Sequence, residues 1–103
     1  MKATIHGKTV ALAADEDVIL IDGDVYFPPY SLTNCALQES NTARSSSWKG
    51  VIQYYNVQIE GYEVRDGAWS YSAPPDTAVT LVGRDFGGYL AFDPEIVECL
   101  EGQ

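Results

Sequence analysis

The sequence predicts a mainly β protein, a single compact antiparallel β domain spanning residues 1–103, of barrel or tent-like shape with one or two short helices. Three observations support this class. Short apolar runs alternate with a period of two, and Gly, Pro and Asp breaks separate them. The 103 residues, 46% hydrophobic and 20% charged, are enough for one core of ordinary globular composition.

The first half contains three short β-prone runs. Thr9 to Ala13 and Val18 to Ile21 are predicted strands that an acidic turn joins. After the break at Asp22-Gly23, Val25 to Phe27 forms another brief extended piece. The pair Pro28-Pro29 ends it, because proline cannot donate a hydrogen bond to a sheet.

One short helix and one loop are expected next. Ser31 is a plausible N-cap, and Leu32, Cys35 and Ala36 are spaced to share a helical face. The polar segment "ESNTARSSS", residues 39–47, has nothing to bury and is predicted to be a loop.

A long strand from Val51 to Glu60 is the clearest element. Its odd-numbered face is mostly apolar and its even-numbered face is increasingly polar, as in a half-buried antiparallel strand. Gly61 turns the chain into Tyr62 to Val64, and Asp66-Gly67 is a second hairpin signal.

The last third continues the β pattern. Trp69 and Tyr71 lie on one side of a strand that Pro74-Pro75 ends, and "GGYLAF" is the last clear strand. The tail from Asp93, residues 94–101, fits either a helix or an edge strand.

The charge and the cysteines limit the partners and the compartment. Six basic and fifteen acidic residues give 6 − 15 = −9, without the basic stripe that nucleic acids or anionic membranes require. Neither a signal peptide nor a membrane span is evident, so a cytoplasmic location is expected. Cys35 and Cys99 are then predicted to be free thiols.

Familiar catalytic and metal motifs are missing from the sequence. His6 is the single histidine and lies near the chain start, which disfavours a Ser-His-Asp arrangement. Two distant cysteines and one histidine give no zinc spacing, and Asp22 and Asp24 fit a solvated turn better than a calcium loop. We therefore expect neither a metal nor a cofactor.

The remaining candidates are aromatic side chains and one lysine. The rings could simply form the core of a small β protein. Lys49, between Trp48 and Gly50, could be an edge lysine that discourages sheet pairing, or an ammonium at the rim of an aromatic pocket. The aromatic residues considered are Tyr26, Phe27, Trp48, Tyr54, Tyr55, Trp69, Tyr71, Tyr89 and Phe92.

Four sequence blocks resemble a known family. In order and spacing, "DVYFPPYSL", "WKGVIQYYNVQIEG", "GAWSYSAPP" and "GYLAF" are similar to domain-of-unknown-function family 427, small bacterial proteins sometimes labelled nucleotidyltransferases. The resemblance covers nearly the whole chain and implies a compact antiparallel β fold of barrel or tent-like shape. The family's Cys-Pro-Trp-Lys-Gly and Trp-Ser-Tyr blocks fall on Trp48, Lys49, Gly50, Trp69, Ser70 and Tyr71, and a following proline falls on Pro74 or Pro75.

The departures from the family pattern limit what carries over. Ser46 and Ser47 stand in place of Cys-Pro, so no role of that cysteine applies to this chain. The sequence also lacks a recognisable metal-binding carboxylate pair and a phosphate cradle, so the nucleotidyltransferase label is not carried over as an activity.

Three functions follow as hypotheses. The first is a binding module for a small ligand, acting as a monomer or homodimer. The second is a protein-interaction module, and the third is an enzyme that uses Lys49 or a tyrosine. For the first, Lys49→Ala is expected to cost less than roughly 1 kcal/mol of stability. The candidate ligand-binding residues are Trp48, Lys49, Gly50, Tyr55, Trp69 and Tyr71.

Overall fold

The computed structural model describes residues 1–46 and 48–100 and is mainly β. Two single-turn 3-10 helices occur at Asp15–Asp17 and Pro29–Ser31, and α1 (Asp76–Val82) is the one α-helix of the described residues. The strands are β1 (Lys2–Ile5), β2 (Lys8–Leu12), β3 (Ile19–Ile21), β4 (Asp24–Tyr26), β5 (Ala36–Ser46), β6 (Gly50–Ile59), β7 (Tyr62–Tyr71), β8 (Leu90–Phe92) and β9 (Val97–Leu100).

These strands form three antiparallel sheets, with the orders β2-β1-β9, β3-β4 and β5-β6-β7-β8. The prediction of a mainly β fold is therefore confirmed. In the described part of the chain the sheets are open and do not close into a barrel.

The four-stranded sheet is covered on both faces. Along β7, Ala68 belongs to one apolar cluster, whereas Trp69 and Tyr71 belong with another. The first cluster, called cluster one, includes residues of the β2-β1-β9 sheet, such as Ile5 and Val97. The second, called cluster two, is formed with the β3-β4 hairpin, α1 and Phe86: its buried residues are Ile19, Ile21, Tyr26, Tyr71, Ala78, Phe86 and Ala91.

Strand β6 uses its two faces differently from the prediction. Val57 and Ile59 are buried in cluster one, as the apolar odd-numbered face predicts. Ile52, on the other face, packs on cluster two, and Val51 remains 69% exposed near the strand start. The even-numbered face also carries a buried contact because the sheet lies between two apolar clusters, whereas the prediction assumed that one face is solvated.

The hairpin between β3 and β4 ends in a two-residue turn that positions one acidic side chain. Ile21 pairs with Asp24, and the two residues between them, Asp22 and Gly23, both have positive φ (53° and 87°). A type I′ turn requires positive φ at both central residues, and Asp-Gly is among the pairs that adopt it readily. The sequence therefore places Asp22 at the hairpin tip.

The helix predicted after Ser31 is wrong. Ser31 ends a 3-10 turn, and the chain then runs extended beside β2, where Leu32 bridges Ala11 and the Thr33 N–H donates to the Val10 carbonyl oxygen. The Asn34 side-chain amide also donates to the Thr9 carbonyl oxygen over 3.0 Å. These contacts with the neighbouring strand outweigh the helical spacing of three apolar residues.

The loop predicted for residues 39–47 is also wrong over its described part; Ser47 lies outside the described residues. Residues 39–46 belong to β5, which pairs with β6 on both sides of a register shift between Glu39 and Ala43. Because β5 is the end strand of its sheet in the described chain, backbone pairing holds it and little apolar burial is needed.

Asp66-Gly67 does not form a hairpin. Both residues lie inside β7, where the register shifts so that Tyr55 pairs with Ala68 and Val57 with Val64. Asp66 has a φ of 52° and its N–H donates to the Asn56 side-chain oxygen over 3.0 Å. A Cβ on Gly67 would lie 2.7 Å from Val64 Cγ1, so this bulge requires glycine.

The C-terminal tail forms a strand, and β1 and α1 are elements that the sequence did not predict. Of the alternatives for the tail, the strand is found: β9 pairs with β1, while Glu101 lies outside the described residues. The turn at His6-Gly7 joins β1 to β2, so the start of the chain is part of a sheet. None of the described helices is long and apolar enough to span a membrane.

Candidate functional site

The turn between β5 and β6 carries the predicted Trp48-Lys49-Gly50 block. Gly50 begins β6 with a φ of 100°, a backbone conformation that side chains other than glycine rarely adopt. A Cβ there would lie 3.4 Å from Pro75 Cδ and 3.5 Å from the Ala73 carbonyl oxygen. These are ordinary contact distances, so it is the positive φ that favours glycine here, at a point where the turn lies beside the segment that precedes α1.

Lys49 forms a partly buried ion pair at this turn. Its Nζ donates a hydrogen bond of 2.8 Å to Asp22 Oδ2 at the tip of the β3-β4 hairpin. The same Nζ lies 5.2 Å from the centre of the Trp48 ring and 5.3 Å from that of Tyr71, within the range of cation–π attraction. The Lys49 side chain is only 10% exposed, whereas that of Asp22 is 59% exposed.

The electrostatics keep the Lys49 ammonium charged. Desolvation alone would lower the pKa of Lys49, but the hydrogen bond to Asp22 and the interaction with Tyr71 outweigh it and raise that pKa above its usual value. Asp24, two residues beyond Asp22, also experiences this charge: burial raises the pKa of Asp24, and Lys49 partly offsets the rise.

An aromatic floor lies beneath the ion pair. The Tyr71 ring lies 6.2 Å from that of Tyr26 and 5.9 Å from that of Phe86, and all three side chains are buried. Trp69 Nε1 donates to the Tyr26 hydroxyl oxygen over 3.1 Å. Burial raises the pKa of Tyr26, so its hydroxyl keeps its proton at neutral pH.

Half-buried rings extend this surface along the sheet. Tyr54 pairs with Trp69 across β6 and β7, and their ring centres are 6.1 Å apart. Trp48, Ile52 and Trp69 pack against cluster two while each remains partly exposed. The site therefore combines a buried cation with flat apolar surfaces that water reaches.

Five of the six residues singled out in the sequence lie on this side of the sheet, and Tyr55 does not. Tyr55 packs against cluster one on the opposite face. Burial there, together with the Glu39 charge, raises the pKa of Tyr55. Tyr55 is accordingly left out of the candidate site.

Sequence reasoning missed Asp22 and Phe86 as site residues, and it considered Tyr26 and Tyr54 among the aromatic candidates without including them in the ligand-binding set. A buried lysine requires an anionic partner, but the sequence offers fifteen acidic residues. The Asp-Gly turn signal was the usable clue, because it places Asp22 at a hairpin tip. Only the fold shows that this tip lies against Lys49, 27 positions along the chain.

Cavities lined by described residues also occur elsewhere, and three of them are well formed. A polar cleft of about 490 Å³ lies beside the two register shifts, a groove of about 320 Å³ lies beside Asp24 and Cys99, and a third of about 460 Å³ lies along α1 at Leu81. Trp48, Lys49, Trp69 and Tyr71 line none of these three. Among the described residues, no group of three or more His, Cys, Asp or Glu side chains is arranged to hold a metal ion.

Comparison with protein families identifies a match. A family model described as "Domain of unknown function (DUF427)" matches residues 1–102. No curated protein matches the chain significantly.

Proposed function

The chain belongs to the DUF427 family, and because that family's description names no reaction, we propose from the site itself that the protein binds a small, partly aromatic ligand at Lys49. The observation that carries this proposal is the buried ammonium between two rings and an exposed carboxylate. A buried ammonium in an ion pair is weak evidence for stability, since a well-packed apolar side chain of similar volume often serves as well or better. The buried charge of Lys49 is therefore better explained by a role in binding a ligand than by a role in stability.

The surroundings of Lys49 support a flat ligand. Binding sites commonly join apolar and aromatic walls to a few placed polar groups. Here Trp48, Trp69 and Tyr54 offer partly exposed ring surfaces, and Lys49 supplies the polar group. Because the rings are held by the sheet and by cluster two, little side-chain freedom is lost when a ligand stacks on them.

An enzyme that uses Lys49 as an amine nucleophile is less well supported. Such chemistry requires the neutral amine, whereas the raised pKa of Lys49 keeps it protonated at neutral pH. A tyrosine acid meets a similar difficulty, because the raised pKa of Tyr26 makes it a weak proton donor.

A protein-interaction role is favoured by one observation, the position of β5. This eleven-residue strand is the end strand of the four-stranded sheet in the described chain, where a partner strand could add. Its polar composition and its register shift are features that discourage such pairing. Light scattering tests this role, since strand addition between copies gives a dimer and the ligand-binding proposal needs only a monomer.

The compartment remains part of the proposal. Cys35 and Cys99 are free thiols in the structure. A reducing cytoplasm is consistent with two unpaired cysteines.

Two-dimensional NMR of ¹⁵N-labelled protein tests the binding proposal. We expect indole-3-acetate and benzoate to shift the side-chain N–H signals of Trp48 and Trp69 and the backbone signals of residues 48–50. Lys49→Met is the matched variant, since it keeps a long apolar side chain and removes the charge. Shifts confined to the polar cleft near Asn41 and Arg65, or no shifts at all, would contradict the proposal.

A further inference from the structure

We propose that the Asp22 carboxylate occupies the place of a ligand carboxylate, and that the ligand is a flat molecule bearing a single carboxylate. This inference rests on the proposed binding function and names the class of ligand. Lys49 Nζ already donates a hydrogen bond of 2.8 Å to a carboxylate oxygen, and the Trp48 and Tyr71 rings beside it carry no charge that could replace that carboxylate. An incoming group must match what Asp22 now supplies.

The two partners differ in how freely they can move. The Lys49 side chain is 10% exposed and lies against the Trp48 and Tyr71 rings, so its position is fixed by packing. Asp22 is 59% exposed at the end of a two-residue turn. The hairpin backbone can stay in place, because Ile19, Ile21 and Tyr26 are buried in cluster two. A rotamer change of Asp22 is therefore enough to uncover the ammonium.

The charge of the site selects the ligand class. A buried cation that loses its carboxylate partner is best compensated by another anion, since removing one charge of an ion pair leaves the other poorly compensated. An uncharged ligand cannot replace Asp22 for this reason. A phosphate or polyphosphate is disfavoured, because it brings more negative charge to a chain of net charge −9 with Asp24 close by. A single planar carboxylate reproduces the present pairing.

This arrangement makes Asp22 a tethered competitor. When the competent conformation is only a fraction of the population, the apparent affinity falls by that fraction. Removing the Asp22 charge should therefore tighten carboxylate binding. Asp22→Asn suits the test, because Asn-Gly also favours the type I′ turn and the hairpin tip can keep its shape.

Asp24→Asn is the matched control. It removes the same charge two residues away, within the field of Lys49, without removing the hydrogen bond to Lys49 Nζ. Titrations of the wild type and both variants with indole-3-acetate, indole and inorganic phosphate separate the outcomes. For Asp22→Asn we expect an affinity for indole-3-acetate about tenfold higher than in the wild type. Asp24→Asn should change it less than roughly threefold, as a general charge effect would.

Four results would overturn the inference. Equal gains in affinity for indole-3-acetate in both variants would show a general charge effect. An unchanged or weaker affinity in Asp22→Asn would show that Asp22 does not compete with the ligand. Tighter binding of phosphate than of indole-3-acetate would contradict the ligand class. Equal binding of indole and indole-3-acetate would overturn the inference while leaving the proposed binding function standing. If neither aromatic probe binds any of the three proteins, the proposed function itself fails.

Discussion

Two opposing effects act on the ammonium group of Lys49. Burial disfavours its charge, while the Asp22 carboxylate and the Tyr71 ring favour it. The second group of effects prevails, so the site holds a permanent cation at neutral pH. Its aliphatic stem packs at the same time among aromatic side chains, as lysine stems often do. Charge and packing can therefore be separated by substitution.

We expect Lys49→Ala to destabilise the protein by about 2 kcal/mol, because it removes the packed stem as well as the ion pair. Lys49→Met should cost less than about 1 kcal/mol, since replacing a buried charge with an apolar side chain of similar size is often neutral. Urea unfolding of both variants checks this. A loss in Lys49→Met as large as in Lys49→Ala would instead show that the charge pair itself holds the hairpin.

The sequence predicted part of this site and could not predict the rest. Trp48, Lys49 and Gly50 were found because a lysine between a tryptophan and a glycine is unusual in an acidic chain. The low cost expected for Lys49→Ala assumed a surface position, which the structure replaces with a buried one. Tyr55 was grouped with Trp69 and Tyr71, although it packs on the opposite side of the sheet. Tyr55 pairs with Ala68, so alternation along β7 sets Trp69 and Tyr71 on the other face, and this pairing is not visible in the sequence.

Strand β7 contains a bulge that depends on one carboxylate. The Thr42 hydroxyl donates to Asp66 Oδ2 over 2.6 Å, and the Asp66 N–H donates to the Asn56 side-chain oxygen. Hydrogen bonds from Ser40 and Thr42 lower the pKa of Asp66 below its usual 3.8. The bulge in β7 is thereby tied to the register shift in β5.

The stability of this element should depend on pH. The pKa of Asp66 is lower in the folded protein than its usual value of 3.8. The Asp66 carboxylate therefore stabilises the fold at pH values above 3.8, and this stabilisation is lost as the pH falls through the lower folded-state pKa. Asp66→Asn should therefore lower the melting temperature at pH 7, and this difference should shrink below pH 3.8 as the pH falls towards the lower folded-state pKa. Asparagine tolerates the positive φ, so the comparison isolates the charge. A pH-independent difference would assign the effect to geometry.

Secondary-structure elements were predictable where buried apolar residues leave a periodic pattern in the sequence. Strand β6 was found because its apolar residues alternate, and the prolines before α1 were found as strand breakers. Strand β5 was missed because its partners are backbone groups of β6, which leave no apolar pattern in residues such as Arg44 and Ser45. Helix α1 was missed because it has seven residues and only Ala78 is fully buried.

At the scale of the whole molecule, one sheet separates two apolar clusters. Adjacent residues of β7 face opposite ways, with Ala68 in cluster one and Trp69 packed against cluster two. If the cluster on one face of β7 unfolds, the backbone hydrogen bonds of β7 weaken, and these bonds also support the cluster on the other face. The two clusters should therefore unfold together, as expected for the single domain predicted for residues 1–103.

Ile5→Val tests this coupling, because Ile5 is fully buried in cluster one, whereas both tryptophans pack on cluster two. The loss of one buried methylene should cost about 1 kcal/mol. If the clusters form one cooperative unit, far-ultraviolet circular dichroism and tryptophan fluorescence should report the same lowered urea midpoint. A fluorescence midpoint that stays at the wild-type value while the dichroism midpoint falls would mean that cluster two unfolds independently. The aromatic site would then belong to a separate folding unit, and its rings could be ordered without the support of the β2-β1-β9 sheet.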